Sequence, residues 1–340
     1  MKEIEAYASP RIKEKNMTFR KDWMTEGEVF PIEPSRLEKI VTFAFARQKV
    51  ISFELIGSGC VNLNIKVELK GANEPYLLRI YLRNKASAFI EKKLGELLKM
   101  EVPIPQVFAI GQFQEFLFSI VQFKKGIPLA DALSTEKEIK IEPIMKKIGL
   151  YLAKIQAHRS PQAGYFDKNL ELSGVFASDI MSHSTKVLLE NPDIKRQISE
   201  KNRKRIESIL TRLVHFFPDV KQNHLVHGDL DPSNILVEQR KGKWEISAII
   251  DWENAFSYSP LWDVAHLLRF AHQVDNTYTT SLIQGLKEGG VQLPEGWPIT
   301  VHLINLTCFL NILNGSPPEF RPLRARDLCE QILLIIDQLE

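Results

Sequence analysis

The chain is poor in cysteine, in long apolar runs and in net charge, and each shortage closes off a class of function. Cys60, Cys308 and Cys329 are its only cysteines in 340 residues. They offer neither a disulfide framework nor a Cys-x-x-Cys metal site, so a reducing cytoplasm is the expected compartment. No run approaches the length of about 20 apolar residues that spans a bilayer. The charged N-terminus lacks the apolar stretch of a signal peptide, so no membrane partner is expected. The 44 Lys plus Arg nearly balance 42 Asp plus Glu, which leaves no electrostatic footprint for nucleic acid. Lys195-Arg196 and Lys201 to Arg205 read as solvated helix faces. A Gly-x-x-x-x-Gly-Lys-Ser/Thr phosphate loop is also missing, and with it the P-loop route to nucleotide binding.

What the chain does carry is concentrated in His227-Gly228-Asp229-Leu230-Asp231-Pro232-Ser233-Asn234-Ile235-Leu236-Val237, followed by Ile249-Ile250-Asp251-Trp252-Glu253. Phosphoryl transfer to a hydroxyl needs a carboxylate to take the hydroxyl proton and oxygen ligands to hold Mg²⁺ against the nucleotide phosphates. Asp229 suits the first task. Asn234 offers a neutral amide oxygen from the same loop, and Asp251 a charged one from the next strand. Residues 235–237 and 246–250 read as two buried strands joined by the polar turn 239–243, a hairpin that would bring Asn234 and Asp251 together. A calcium loop counted from Asp229 fails, because its sixth position is Asn234 instead of Gly and its twelfth is Arg240 instead of Glu. A metal-dependent phosphohydrolase would need more His or Asp ligands than this loop supplies.

Together with Pro260, Asp263 and Ala265, these motifs resemble the aminoglycoside phosphotransferase and choline kinase-like family. The match is specific over about 224–268 and weaker over about 50–160. The resemblance implies an α+β, bilobal protein kinase-like fold, with a small antiparallel-sheet N-lobe and a larger, mainly helical C-lobe. It implies that Asp229 is the catalytic base, that Asn234 and Asp251 are Mg²⁺ ligands, that Asp263 braces the loop and that His227 shapes it. The co-substrate would be ATP or GTP and the acceptor a small-molecule hydroxyl, handled by a monomer or homodimer. Two positions depart from the family pattern: Asp231, read as facing solvent, and Gln156, where a helix motif would place His.

Residues 1–35 are polar and read as an arm, 36–123 as the nucleotide-binding lobe and 124–340 as the catalytic and acceptor-binding lobe. After a helix over 35–47, strands are expected at 51–56, 63–69 and 76–82. Gly57, Ser58, Gly59 and Asn62 lie in or beside the turn between the first two, where glycine lets backbone N–H groups approach phosphates. By the resemblance, Arg79 on the third strand reaches the nucleotide phosphates. Its partner is Glu91 on a helix over 86–99, whose apolar positions are 90, 94, 97 and 98. Strands at 106–111 and 116–123 end at Gln122 and Phe123, which occupy the adenine-holding interlobe connection. A central helix at 148–155, a helical insertion at 177–217 and helices at 263–273, 277–289, 299–313 and 324–338 complete the expected body. Glu253, Asp327, Glu330 and Glu340 are carboxylates that a polycationic acceptor could use. The reading is an ATP- or GTP-dependent small-molecule kinase; the alternative is a pseudokinase that binds nucleotide as a regulatory scaffold.

Overall fold

The computed structural model describes residues 32–58, 62–135 and 139–340; Gly59 and Cys60, and nearly all of the N-terminal arm, lie outside them. Helix α1 (Pro34–Ala44) starts on a proline and buries Leu37, Ile40 and Val41, the fixed φ of proline suiting a first turn. It packs on an antiparallel sheet of β1 (Val50–Ser58), β2 (Asn62–Leu69), β3 (Tyr76–Tyr81), β4 (Val107–Phe113) and β5 (Phe116–Gln122), ordered β1-β2-β3-β5-β4. Alternation drives the packing: Leu63, Ile65, Val67 and Leu69 of β2 are all buried against α1 with Leu78, Ile80 and Phe118.

Helix α2 (Ser87–Leu98) crosses between β3 and β4, and its stripe Ile90, Leu94 and Leu98 joins a second, larger core. Leu97, expected on that stripe, lies at its edge and is 45% exposed. Glu91 shares the buried face. The segment after α2 is stitched to the larger body, with Ile249 N donating to Pro103 O at 2.8 Å and His158 Nε2 lying 3.1 Å from Glu101 Oε1.

That body contains β6 (Ile127–Pro128), α3 (Leu129–Thr135), α4 (Ile141–Ala157), β7 (Gly164–Phe166), β8 (Leu172–Val175), α5 (Ile180–Glu190), α6 (Pro192–Gln197) and α7 (Glu200–Leu213). It continues with β9 (His224–Val226), β10 (Ile235–Arg240), β11 (Lys243–Ile249), β12 (Phe256–Tyr258), α8 (Leu261–Leu268), α9 (Thr277–Glu288), α10 (Trp297–Asn314) and α11 (Pro322–Leu339). Two small sheets, β11-β10-β6 and β8-β7-β12-β9, sit among the helices. Helix α10 is apolar nearly all round and central, as an enclosed helix must be. Helices α4 and α9 meet across Gly149 and Gly285, where an added Cβ would lie 2.4 Å from Leu282 O and 2.0 Å from Lys146 O respectively. Only glycine permits that approach. The architecture is α+β, an antiparallel sheet followed by a mainly helical remainder.

Among the boundaries that differ from the sequence reading, two bear on the site. Gly57 and Ser58 extend β1 instead of forming a loop. The hairpin between β10 and β11 turns on Lys241 and Gly242 alone, with φ of 49° and 76°, while Gln239, Arg240 and Lys243 remain in the ladder. A two-residue turn with both φ positive matches the twist of paired strands, which favours it over the five-residue turn expected.

Candidate active site

Strand β9 delivers the loop 227–234, and α8 fixes it from below. Asp263 is fully buried, and its carboxylate accepts the backbone N–H of His227 at 2.8 Å and of Gly228 at 3.1 Å. Burial pushes its proton affinity up, while His227 and these two N–H groups pull against that shift. Gly228 has φ of 87°, and a Cβ there would meet Asn254 O at 2.1 Å, so no side chain is tolerated. Trp262 Nε1 donates to Gly228 O at 3.1 Å. His227 is buried, donates from Nε2 to Ile250 O at 2.9 Å and packs with its ring tilted against Trp252, 4.5 Å between centroids. The loop is therefore held on three sides, while the Asp229 side chain remains 28% exposed.

Asp231 corrects an expectation. An Asp in a polar loop is expected to face solvent, yet Asp231 is 1% exposed and accepts Ser233 N at 2.8 Å. Its carboxylate caps the short turn through Pro232–Asn234, a local use of Asp side chains that composition cannot distinguish from surface charge. Gln156, the second departure, is buried and donates to Pro260 O at 2.9 Å, tying the end of α4 to the start of α8.

Asn234 and Asp251 are brought side by side by the hairpin, with Ile235 opposite Ile249 and Ile250 N donating to Asn234 O at 2.9 Å. Asn234 Nδ2 donates to Asp229 O at 2.8 Å, which commits the nitrogen and leaves the amide oxygen on the opposite side. Asp251 adopts φ of 68°, a left-handed conformation uncommon for a residue with a side chain and frequent at functional sites. Its carboxylate is 33% exposed. One carboxylate and one amide oxygen are hard donors that suit Mg²⁺, which takes few protein ligands and completes its shell with phosphate and water. Among the described residues no group of three or more His, Cys, Asp or Glu forms a metal cage.

Arg79 reaches the same place from β3. Its guanidinium lies 3.3 Å from Glu91 Oε1 and 3.2 Å from Glu253 Oε2, and it also contacts Asp251 Oδ1 directly. Asn62 Nδ2, at the start of β2, donates to the same Glu253 carboxylate. Tyr81 donates to Glu91 at 2.5 Å and lies 3.0 Å from Ser119 Oγ. Burial raises Glu91 to about 7; Arg79 opposes that rise, and Asp251 and Glu253 add to it. Glu253 is raised too, by burial and then by Asp251. One arginine thus holds three carboxylates, a planar fork serving where a point charge could not. Gln122 closes β5 opposite Tyr76, its N–H donating to Gln106 O at 2.8 Å, and Phe123 follows with Lys66 Nζ 6.0 Å from its ring.

Sequence reasoning missed two residues. Glu253, read as an acceptor-facing acid, is turned inward onto Arg79 and Asn62; its place two residues after Asp251 was the available signal. His266 was not singled out, although it lies one helical turn beyond Asp263, and its Nδ1 stands 3.6 Å from Asp229 Oδ1. Of the other acceptor candidates, Glu340 pairs with Arg205 at 2.6 Å and Asp327 Oδ1 accepts from Gln331 at 3.4 Å.

With this geometry in hand, comparison with known proteins decides the class. The family model described as "APH: Phosphotransferase enzyme family" matches residues 52–298, from the first strand of the sheet through the Asp229 loop and the β10–β11 hairpin to α10. The chain belongs to that phosphotransferase family. It is a small-molecule kinase of protein kinase-like fold. Comparison with curated proteins finds no match. Among solved structures, aminoglycoside phosphotransferase APH(4)-Ia aligns at 18% identity over 90% of this chain and 99% of its own, with a TM-score of 0.66. A thermostable mutant of that protein, in a ternary complex with AMP-PNP and hygromycin B, aligns at 18% identity over 89% and 98%, TM-score 0.64. The GDP complex of aminoglycoside 2'-phosphotransferase-IIIa aligns at 19% identity over 91% and 98%, TM-score 0.63. At such identities the likeness is one of fold. No helix among the described residues is long and apolar enough to cross a membrane.

Proposed function

We propose that this phosphotransferase moves the γ-phosphoryl group of ATP or GTP, with Mg²⁺, to a hydroxyl of a small polyhydroxylated molecule, an aminoglycoside being the first acceptor to test. The observation that carries this reading is the convergence of three elements on one point: the β9 loop bearing Asp229, the β10–β11 hairpin bearing Asn234 and Asp251, and β3 bearing Arg79. Asp229 accepts the hydroxyl proton as the acceptor oxygen bonds to γ-phosphorus and the bond to the nucleotide's bridging oxygen breaks. Asn234 and Asp251 hold Mg²⁺, which supplies charge neutralisation at the phosphates. Arg79, kept in place by Glu91 and Glu253, steadies the phosphates, and the end of β1 at Gly57 and Ser58 offers them backbone N–H groups. Gln122 and Phe123 receive the base. In this reading residues 36–123 form the nucleotide-binding lobe and 124–340 the catalytic lobe, preceded by the arm 1–35.

The direct contact of Arg79 with Asp251 also fits a binding module that never turns over, so the test must separate the two. Purified protein with Mg²⁺ and either ATP or GTP is assayed for nucleoside diphosphate release across hygromycin B, kanamycin, macrolides, amino alcohols and sugars. Acceptor-dependent release with one donor identifies both substrates. Tight nucleotide binding with no release for any acceptor supports the scaffold reading instead.

A further inference from the structure

We propose that His266 is a positioning residue that orients Asp229 for proton abstraction, an inference that rests on the reading of Asp229 as the base. Asp263 and His266 stand one turn apart on α8, so both side chains meet the same loop. The first fixes its backbone through His227 N and Gly228 N. The second approaches its reacting carboxylate, Nδ1 standing 3.6 Å from Asp229 Oδ1. That separation exceeds a hydrogen bond, and contacts to a catalytic base commonly tighten once the reacting group is seated.

The ring has little freedom. His266 is 4% exposed, Trp262 lies 5.6 Å away at an interplanar angle of 39°, and Cys308 Sγ on α10 is 3.7 Å from Nε2. In the proposed arrangement the Cys308 thiol donates to Nε2, which keeps its lone pair, and the ring proton sits on Nδ1, facing the carboxylate. Donation from Nδ1 to Oδ1 holds one oxygen of Asp229 and fixes its rotamer. The polar seam continues one turn further, where Arg269 Nε donates to Asn305 Oδ1 at 3.3 Å and Asn305 Nδ2 donates to Ala265 O at 2.8 Å. A line of polar groups between two otherwise apolar helices is costly unless satisfied, and its end at Asp229 gives this one a use.

Four variants and one spectrum test the proposal. An asparagine amide can place its nitrogen near the position of Nδ1, whereas a glutamine amide reaches toward Nε2. His266→Asn is therefore expected to keep kcat within about threefold and His266→Gln and His266→Leu to lose about 10–100-fold, as when the partner of a functional ligand is removed, with nucleotide affinity and Tm of the Gln variant unchanged. The assay uses Mg²⁺, ATP or GTP and the acceptor that gives turnover; Asp229→Asn runs alongside. Full activity in Asp229→Asn would sink the base reading, whereas an inactive Asp229→Asn beside fully active His266→Gln and His266→Leu would sink only the role of His266. Loss of nucleotide binding together with kcat in the Gln and Asn variants alike would mark a structural role and overturn the proposal. Independently of activity, two-bond ¹H–¹⁵N spectra of the wild type, assigned by the signal missing from His266→Asn, should show the proton on Nδ1. A neutral ring protonated only on Nε2 would contradict the proposal.

Discussion

At Arg79 a single cation meets three carboxylates in a site that leaves the side chain only 10% exposed. Removing it strands Glu91, Asp251 and Glu253 against one another. Breaking a buried pair from one side costs about 3–5 kcal/mol, so Arg79→Ala should lower Tm by several degrees and weaken nucleotide binding together. Arg79→Lys should recover part of the stability and less of the affinity, since an ammonium cannot span the carboxylates as the guanidinium fork does. Thermal unfolding and calorimetric nucleotide titration of the two variants check both statements. An unchanged Tm in Arg79→Ala would mean that the cluster contributes nothing to the fold. Asn62 makes the finer case: its bond to Glu253 ties the start of β2 to the Asp251 loop. Asn62→Ala should therefore cost about 1 kcal/mol, the usual net value of such a bond, expressed as a several-fold rise in the KM for nucleotide with kcat little changed.

Among the elements, the α4–α9 contact and α10 make separate predictions. Gly149→Ala sets a methyl against backbone that cannot move aside, so overpacking should destabilise by about 1–3 kcal/mol, read in chemical denaturation. On α10, burial lowers His302 to about 4, below the ordinary value of about 6.5. Between these values the unfolded chain binds the proton and the folded one does not. The contribution is therefore complete above about pH 6.5 and is lost as pH falls towards 4. His302→Gln should flatten the stability-versus-pH curve in that window; an unchanged slope would refute the assignment. The elements that the sequence made legible are those whose period is set by burial on one face: β2, the longer helices of the body and the β10–β11 hairpin. The short β7, β8 and β12 strands went unread, because three or four residues carry too little alternation to separate strand from loop. The site shows the same division. Asp229, Asn234, Asp251, Arg79 and Glu91 could be named because they belong to a spaced pattern. The burial of Asp231 and the approach of His266 to Asp229 depend on which elements meet, and for Glu253 the only local signal is its place two residues after Asp251.

Across the whole molecule, the sheet and the helical body are joined by contacts that also build the site. Arg79 and Asn62 come from the sheet, Glu91 from a helix whose apolar stripe is packed into the larger core, and Asp251 and Glu253 from the hairpin beneath. Arg79 and Asp251 contact each other directly; in the proposed function each neutralises the other until a nucleotide and Mg²⁺ divide them. Affinity for nucleotide should accordingly depend strongly on Mg²⁺ in the wild type and weakly in Asp251→Asn, which calorimetry with and without chelator would show. The central claim, that Asp229 serves transfer and not binding, is tested most directly by Asp229→Ala, measuring acceptor-dependent diphosphate release and nucleotide Kd on the same preparation. The account predicts turnover reduced by about 10²–10⁴-fold, the usual contribution of a general base, with Kd within about threefold of wild type. Turnover equal to the wild type's would contradict it.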